Sequence, residues 1–408
     1  MTKRYDIIIA GGGMIGASLA RAVAPLGMRV AVVEPVLPGA AAQPSFDDRS
    51  TALSRASQRA FTAMGLWSAI AESATPIRAI HVSDRGSFGL CRIDAAEQHV
   101  QALGYVVVNR VLGQTLLGSL TGDGGPVLYR PARITRVEQT EADVTATVMH
   151  SDEGEERLRA SLLVAADGAR STVRSAVGIG LEERPYDQVA ITGNLATSRP
   201  HENVAYERFT VDGPVALLPF TEGRSAFVWT LPPKKAEAAM ELGDDDFLTT
   251  FQEVFGWRLG RLSRVGKRVA YPLALTRADR LSAGRTVVIG NAAHGLHPVA
   301  GQGYNLGMRD VAALADLLAE ALEQARDPGS PELLARYAAW RRSDQRKVVG
   351  FTDGLVRLFG SERDTARAAR GIGMLGLDLL PGAKRAFARH TMGLAGRLPR
   401  LSRGVPLR

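Results

Sequence analysis

Residues Tyr5 to Glu34 leave a chain of this kind little choice of architecture. Tyr5 to Ala10 is an apolar run of strand length, Gly11, Gly13 and Gly16 follow in GGGMIG, and a helical segment continues to about Ala24. A second apolar run, Arg29 to Val33, ends at Glu34. This order of strand, glycine turn, helix, strand and acid is the βαβ dinucleotide-binding fingerprint, with the acid close to the ~20 residues past the glycines that a ribose hydroxyl requires. Each glycine has its own reason. A side chain at Gly11 or Gly13 would obstruct the tight turn or the approach of a pyrophosphate, and one at Gly16 would hold helix and strand apart. Glu34 is accordingly assigned to the adenosine ribose, in preference to a solvated strand end.

A second glycine-rich stretch lies near residue 300. Thr286 to Ile289 is a short β-branched strand, and Val311, Leu314, Leu318 and Leu322 recur at helical spacing, which predicts one buried helix face. Gly301, Gly303 and Gly307 surround the start of that helix. Backbone N–H groups there lack intrahelical partners and carry partial positive charge, so the end should face an anion or an electron-rich ring.

The 408 residues provide for two to three domains. A hydrophobic share of 45% with 23% charged residues is globular. The single cysteine, Cys91, excludes an intramolecular disulfide and reads as a small buried residue. No stretch reaches the ~18 uninterrupted apolar residues of a membrane span. Lys3 and Arg4 before an apolar run mimic a signal peptide, but strand, glycine turn and helix already account for that run. A cytoplasmic protein is expected.

LLVAADGARSTVR at Leu162 to Arg174 and GNAAHGLHPVAGQGYNLGMRD from Gly290 complete a set of three motifs with the N-terminal fingerprint. In this order the chain resembles, over nearly its whole length, the FAD-dependent class A aromatic monooxygenases similar to p-hydroxybenzoate hydroxylase. FDDRSTALS at Phe46 to Ser54 and the long HPVAGQGYNLGMRD run resemble their ubiquinone-biosynthesis branch, above all the 2-polyprenyl-6-methoxyphenol hydroxylases. The resemblance implies an α/β fold: a discontinuous Rossmann-like FAD-binding domain (1–74, 105–180 and 280–350) with an inserted, largely antiparallel β-sheet substrate domain (75–104 and 181–279). A helical, basic region (351–408) completes it. It implies that reduced nicotinamide, NADH or NADPH, delivers hydride to FAD, that O2 forms a flavin C4a-hydroperoxide, and that a phenol ring takes its distal oxygen.

The resemblance also carries site residues. Asp47 and Arg49 follow a Pro/Gly/Ala-rich loop, and Arg49 would lie near the FAD or the nicotinamide, with a helix-capping salt bridge as its alternative. Arg110 is a candidate FAD contact where the chain re-enters the domain, or else a surface arginine. Asp167 should accept from ribityl or ribose hydroxyls or from neighbouring N–H groups, because a carboxylate repels a pyrophosphate. Ser171 and Arg174 stand in the helical turn that follows, where Arg174 either neutralises phosphate or pairs with Asp167. The family's usual GDAAH is GNAAH here; Asn291 can still accept a hydrogen bond from the ribityl chain through its amide oxygen. Gly301, Gly303, Asn305 and Leu306 fall where backbone groups contact the flavin pyrimidine ring, and Pro298 where a proline carbonyl borders the phenol. No side chain is assigned a catalytic role, because the flavin carries the chemistry.

His294 and His297 lie three apart in a loop without cysteine or carboxylate companions, so no metal is expected. In the sheet domain Phe220, Phe227 and Trp229 are candidates for lining a substrate cavity, against the alternative of ordinary sheet core. Between Ala383 and Arg408 there are seven basic residues and no acid, against a formal charge of +8 for the whole chain. With Phe387, Met392, Leu394, Leu398 and Leu401 interspersed, this reads as a basic amphipathic segment for the inner face of an anionic membrane, or as a helix packed on the FAD domain. No nucleic-acid reader motif accompanies the charge, and the expected partners are a prenylated phenol and a ubiquinone-biosynthesis complex. Two rivals stand beside a hydroxylase: a flavin oxidoreductase of another kind, such as an amine oxidase, and a non-catalytic flavoprotein subunit.

Overall fold

The computed structural model describes residues 2–37, 49–86, 89–122, 124–151, 154–298, 301–359 and 364–407. Phe46 and Asp47 of the FDDRSTALS motif lie outside the described residues, as do Val299 and Ala300.

Ile7, Ile8 and Ile9 are fully buried in the strand Lys3–Ala10, on both of its faces, as the interior of a parallel sheet requires. This strand lies between Val30–Val33 and Gly154–Ala165, parallel to both. Val127–Tyr129 and Thr286–Val288 extend the parallel order on the two sides. The chain leaves Lys3–Ala10 to one side for its next strand and later returns to the other, so the order reverses there. Open α/β sheets bind ligands at the carboxyl ends of the strands at such a reversal, and here that point is Gly11.

The helices Met14–Val23 and Gln302–Glu323 pack on each other beside this sheet. Gln302–Glu323 is buried almost all round from Asn305 to Ala319, the mark of a core helix. Val311, Leu314 and Leu318 are buried as their spacing predicts, but Leu322 is 49% exposed. Helical spacing defines a face; burial needs a neighbour, and the last turn has none over Leu322.

A nine-stranded sheet forms the second body. Leu181–Thr197, Arg224–Leu231, Val215–Pro219 and Val204–Phe209 run antiparallel in that order, with Val269–Ala278 on the other edge of Leu181–Thr197. The hairpin of Ala79–Asp84 and Leu90–Asp94 joins by a parallel pairing to Val204–Phe209. One face is covered by the helix Asp244–Phe255, whose Phe247 and Phe251 pack against Phe227 and Trp229. A three-stranded sheet of Ser50–Ser54, Gly104–Val108 and Thr75–Ile77 stands apart from both. The fold is α/β, a Rossmann-like sheet with a largely antiparallel second sheet and C-terminal helices.

Those helices are Pro331–Phe359, Asp364–Leu379 and Pro381–Thr391. The basic end of the chain folds back onto the body. Met392, Leu401 and Leu407 are buried, Phe387 and Leu394 are partly packed, and Arg400 pairs with Asp316 at 2.5 Å and Glu323 at 3.2 Å. Most apolar side chains of the tail therefore turn inward, Val405 excepted.

Candidate active site

Three loops meet at the carboxyl ends of the parallel strands, and glycines let them approach. Gly11 has φ of +96°, and a Cβ there would lie 2.5 Å from the Ala166 carbonyl oxygen. A Cβ on Gly16 would lie 1.8 Å from the Gly11 carbonyl oxygen, so any larger residue would force the helix off its turn. Ile15 is wedged between the other two loops: Cβ atoms added at Gly290 and Gly307 would come within 3.0 Å and 2.8 Å of its side chain. The fingerprint helix, GNAAH and the start of Gln302–Glu323 are thereby held around one residue.

They open on a cavity of about 2330 Å3, more than twice the ~1,000 Å3 upper range of ordinary small-molecule pockets. Gly11, Gly13, Glu34, Arg49, Asp167, Asn291, Pro298, Gly301, Gly303 and Asn305 line it. Gly16 and Leu306 stand behind the wall, and Leu306 is buried. Arg110 is exposed and off the cavity, whereas its neighbour Asn109 lines it and accepts from Thr51 Oγ1 at 2.7 Å. Successive residues on a helix point about 100° apart, so at the start of Asn109–Gly118 only one of the two can face inward.

The polar groups on the wall are held by local bonds. Glu34 accepts from the Gly12 N–H at 2.6 Å and the Val36 N–H at 3.0 Å, which fixes its carboxylate at the cavity edge. Asp167 Oδ2 accepts from the N–H groups of Thr172 and Val173 at 2.9 and 3.2 Å, capping the Thr172–Ala176 helix beside the Ser171 hydroxyl. Its other oxygen, Oδ1, is buried without a partner among the described residues, an orphan that a hydroxyl-bearing ligand would satisfy. Arg174 stands on the cavity wall and makes no ion pair with Asp167 among the described residues. It donates to the carbonyls of Ala169 at 3.0 Å and Ala292 at 3.1 Å, bridging the Asp167 loop to GNAAH. Asn305 uses its whole amide as a clamp, accepting from Ser54 N–H and Ser57 Oγ and donating to the Ala52 and Gly301 carbonyls, all at 2.8 Å. Gly303 differs from Gly11, Gly16, Gly290 and Gly307: a Cβ there would meet no protein atom, which leaves that space to a ligand. These features fit a bound dinucleotide.

Behind the wall lies a charge cluster that the sequence left unread. Asp310, wholly buried, accepts from the Gly290 N–H at 3.0 Å, His294 Nε2 at 2.7 Å and Arg341 Nε at 2.7 Å. Arg341 continues to Asp344 at 2.6 Å, which Arg309 meets at 2.8 Å. Burial pushes the Asp310 carboxyl up, but the Arg341 charge and then His294 outweigh it and hold the group below the usual carboxylate range. His297 is fully buried, with Nε2 3.1 Å from Gln188 Oε1 and its ring edge-on to Tyr186. Burial lowers its imidazole to about 4, so it is neutral at neutral pH.

The cavity continues from the glycine loops into an apolar chamber. Phe220 and Phe227 line it, whereas Trp229 is turned into the core with Phe247 and Phe251. Ile80, Cys91 and Ile93 of the hairpin form another side, and burial raises the Cys91 thiol to about 11, leaving it uncharged. Met374, Leu377 and Phe387 close the chamber. Phe387 belongs to the basic amphipathic segment named above, whereas the signal for Met374 and Leu377 was the largely apolar stretch from Ile372 to Leu380.

A parallel sheet with a glycine fingerprint at its reversal point, joined to an antiparallel sheet across one large cleft, defines a dinucleotide-binding flavoprotein. The chain belongs to the FAD binding domain family, whose model matches residues 4–352. It is 39% identical to the ubiquinone hydroxylase UbiL of Rhodospirillum rubrum over 99% of this chain and 94% of that protein. It is 30% identical to the 3-demethoxyubiquinol 3-hydroxylase of Escherichia coli K12 over 95% of this chain and 98% of that one. In fold it is similar to p-nitrophenol 4-monooxygenase PnpA of Pseudomonas putida, with a TM-score of 0.79 at 19% identity over 97% of this chain and 100% of that chain.

Proposed function

We infer that this protein is an FAD-dependent monooxygenase that hydroxylates the aromatic ring of a polyprenylated phenol in ubiquinone biosynthesis, with O2 and NADH or NADPH as co-substrates. The observation that carries this reading is the continuity of one cavity from the glycine loops to the apolar chamber. Its relatives' names supply the pathway. FAD, when bound, supplies reduction by the nicotinamide and activation of O2.

The chain's own residues bind and orient. Glu34 takes the adenosine ribose, and Gly11 and Gly13 admit the pyrophosphate to the N-terminus of Met14–Val23. Asp167 Oδ1 and Asn291 accept from hydroxyls of the ribityl or ribose parts, and Arg49 stands on the same wall. Gly301, Gly303 and Asn305 present backbone to the flavin ring, with Leu306 packed behind them. The first turn of Gln302–Glu323 offers its unpaired N–H groups to negative charge on that ring. Pro298 borders the phenol, and the apolar chamber excludes water from it.

A prenyl chain, worth ~0.8 kcal/mol per buried CH2, keeps such a substrate in a bilayer. Among the described residues no helix is long and apolar enough to cross a membrane. The enzyme therefore meets its substrate at the inner membrane surface, where the basic end of the chain makes contact, or receives it within a biosynthetic complex.

Purified enzyme given FAD, reduced nicotinamide, a short-chain prenylphenol and 18O2 should release a phenol heavier by one labelled oxygen atom. Label arriving from water would overturn the monooxygenase reading. Flavin bound without turnover, in the presence of partner proteins too, would leave a non-catalytic subunit.

A further inference from the structure

From residue 370 to its end the helix Asp364–Leu379 has two apolar faces, and only one of them is covered. Met374 and Leu377 line the cavity together with Phe387 of the next helix, as do Val82, Cys91 and Ile93 of the hairpin. Gly373 is on the same wall, and a Cβ there would meet no atom, so the chamber has room beside the helix. On the outside Ile372, Leu375 and Leu379 are 65%, 43% and 67% exposed, and Leu380 is 60% exposed. Spacings of three and four residues set the first three in one stripe. A contiguous apolar stripe of this kind on a protein in water marks a contact surface.

We propose that this stripe seats in the acyl boundary of an anionic membrane leaflet, and that the substrate's prenyl chain enters the chamber beside the same helix. This rests on the prenylated-phenol reading above and names where that substrate arrives. The helix is the partition between chamber and stripe, so a chain passing Leu377 and Met374 emerges next to Ile372, Leu375 and Leu379. Charge points the same way. Arg385 and Arg389, one turn apart on Pro381–Thr391, are exposed and have no ion-pair partner among the described residues. The acid at this end of the stripe, Asp378, is taken by Lys384 at 2.9 Å and the Arg92 N–H at 3.0 Å. An apolar stripe followed on the next helix by exposed arginines without ion-pair partners is the pattern of a segment lying in a membrane interface, and a protein partner would not require the positive charge.

The test floats the FAD-loaded enzyme with vesicles of equal parts phosphatidylglycerol and phosphatidylcholine. The triple variant Ile372→Ser, Leu375→Ser, Leu379→Ser should lose roughly tenfold or more of its vesicle binding, yet keep its FAD and its turnover of a short-chain prenylphenol in solution. Leu379→Trp should still bind, and its emission should shift to the blue when vesicles are added. Arg385→Glu with Arg389→Glu should weaken binding to the phosphatidylglycerol vesicles and leave any binding to phosphatidylcholine alone unchanged. Undiminished flotation of the triple variant, or an unshifted tryptophan, overturns the proposal. So does a wild-type dimer that vesicles fail to dissociate and the triple variant abolishes, which would give the stripe to a second copy. Failure of the wild type to hydroxylate the short-chain phenol counts against the functional reading instead, because flotation is read independently of turnover.

Discussion

Gly13 adopts φ −63° and ψ −177°, a backbone any residue can take, so its place in the fingerprint is not explained by strain. It lines the cavity, where a side chain would meet the ligand. Gly13→Val is therefore expected to leave far-UV circular dichroism intact while the purified protein loses its flavin absorbance; stoichiometric FAD in the variant would remove the assignment. Gly16 is the contrary case, fixed by the Gly11 carbonyl at 1.8 Å from a would-be Cβ. His297 sets a pH dependence. Its folded-state value of about 4 lies below the ~6.5 of an unfolded histidine. Between those values the unfolded chain holds a proton that the folded one lacks, so stability is full above about pH 6.5 and falls as pH drops toward 4. The loss from this group is at most about 3 kcal/mol. Urea unfolding at about pH 7 and about pH 4.5 should show His297→Gln losing less on acidification than the wild type does.

Helices Gln302–Glu323 and Pro331–Phe359 are joined through Asp310, Arg341, Asp344 and Arg309, and the same Asp310 holds the N–H of Gly290. The cluster thus couples the packing of two helices to the loop that carries Asn291. Breaking a buried pair from one side leaves the other charge uncompensated, which costs about 3–5 kcal/mol. Asp310→Asn should lower the urea midpoint accordingly and weaken FAD retention, read from flavin released on ultrafiltration. A variant with wild-type stability would show that Arg341 finds Asp344 sufficient. None of this was visible in GMRD as a motif. Arg341 lies far along the chain from Asp310, and only helix packing brings them within 2.7 Å.

Across the whole molecule, two sheets and the C-terminal helices enclose one cavity, and the chain's end ties back across it. Leu401 and Leu407 are in the core, and the backbone carbonyl of Met392 accepts from the Ala56 N–H at 3.0 Å. Removing the residues after Pro399 should therefore lower Tm, corresponding to about 3 kcal/mol or more from two buried leucines, before any effect on membrane contact is seen. Differential scanning calorimetry decides this, and an unchanged Tm would mean that the tail merely rests on the surface. Arg385, Arg389, Arg397 and Arg403 remain outside while Met392, Leu401 and Leu407 face in. That is the packed arrangement the composition alone left open beside the membrane-facing one.

The amino-acid sequence by itself determined the parts whose physics is local. A strand, a glycine turn and a helix occupy Lys3 to Val23 because apolar run, left-handed φ at Gly11 and helical spacing act within a few residues of one another. The same holds for the strand Thr286–Val288 and the helix that begins after Gly301. What the tertiary structure decided depends on which neighbours arrive. Leu322 has the spacing of a core residue but no cover, Asn109 rather than Arg110 faces the cleft, and Arg174 spends its guanidinium on two carbonyls instead of a carboxylate. Trp229 went to the core and Phe220 to the cavity, although both are large aromatics of one hairpin, Trp229 within Arg224–Leu231 and Phe220 just past the end of Val215–Pro219. Periodicity states which side chains share a face. Only the packed fold states what that face meets, because burial and pairing are made between segments that the chain holds far apart.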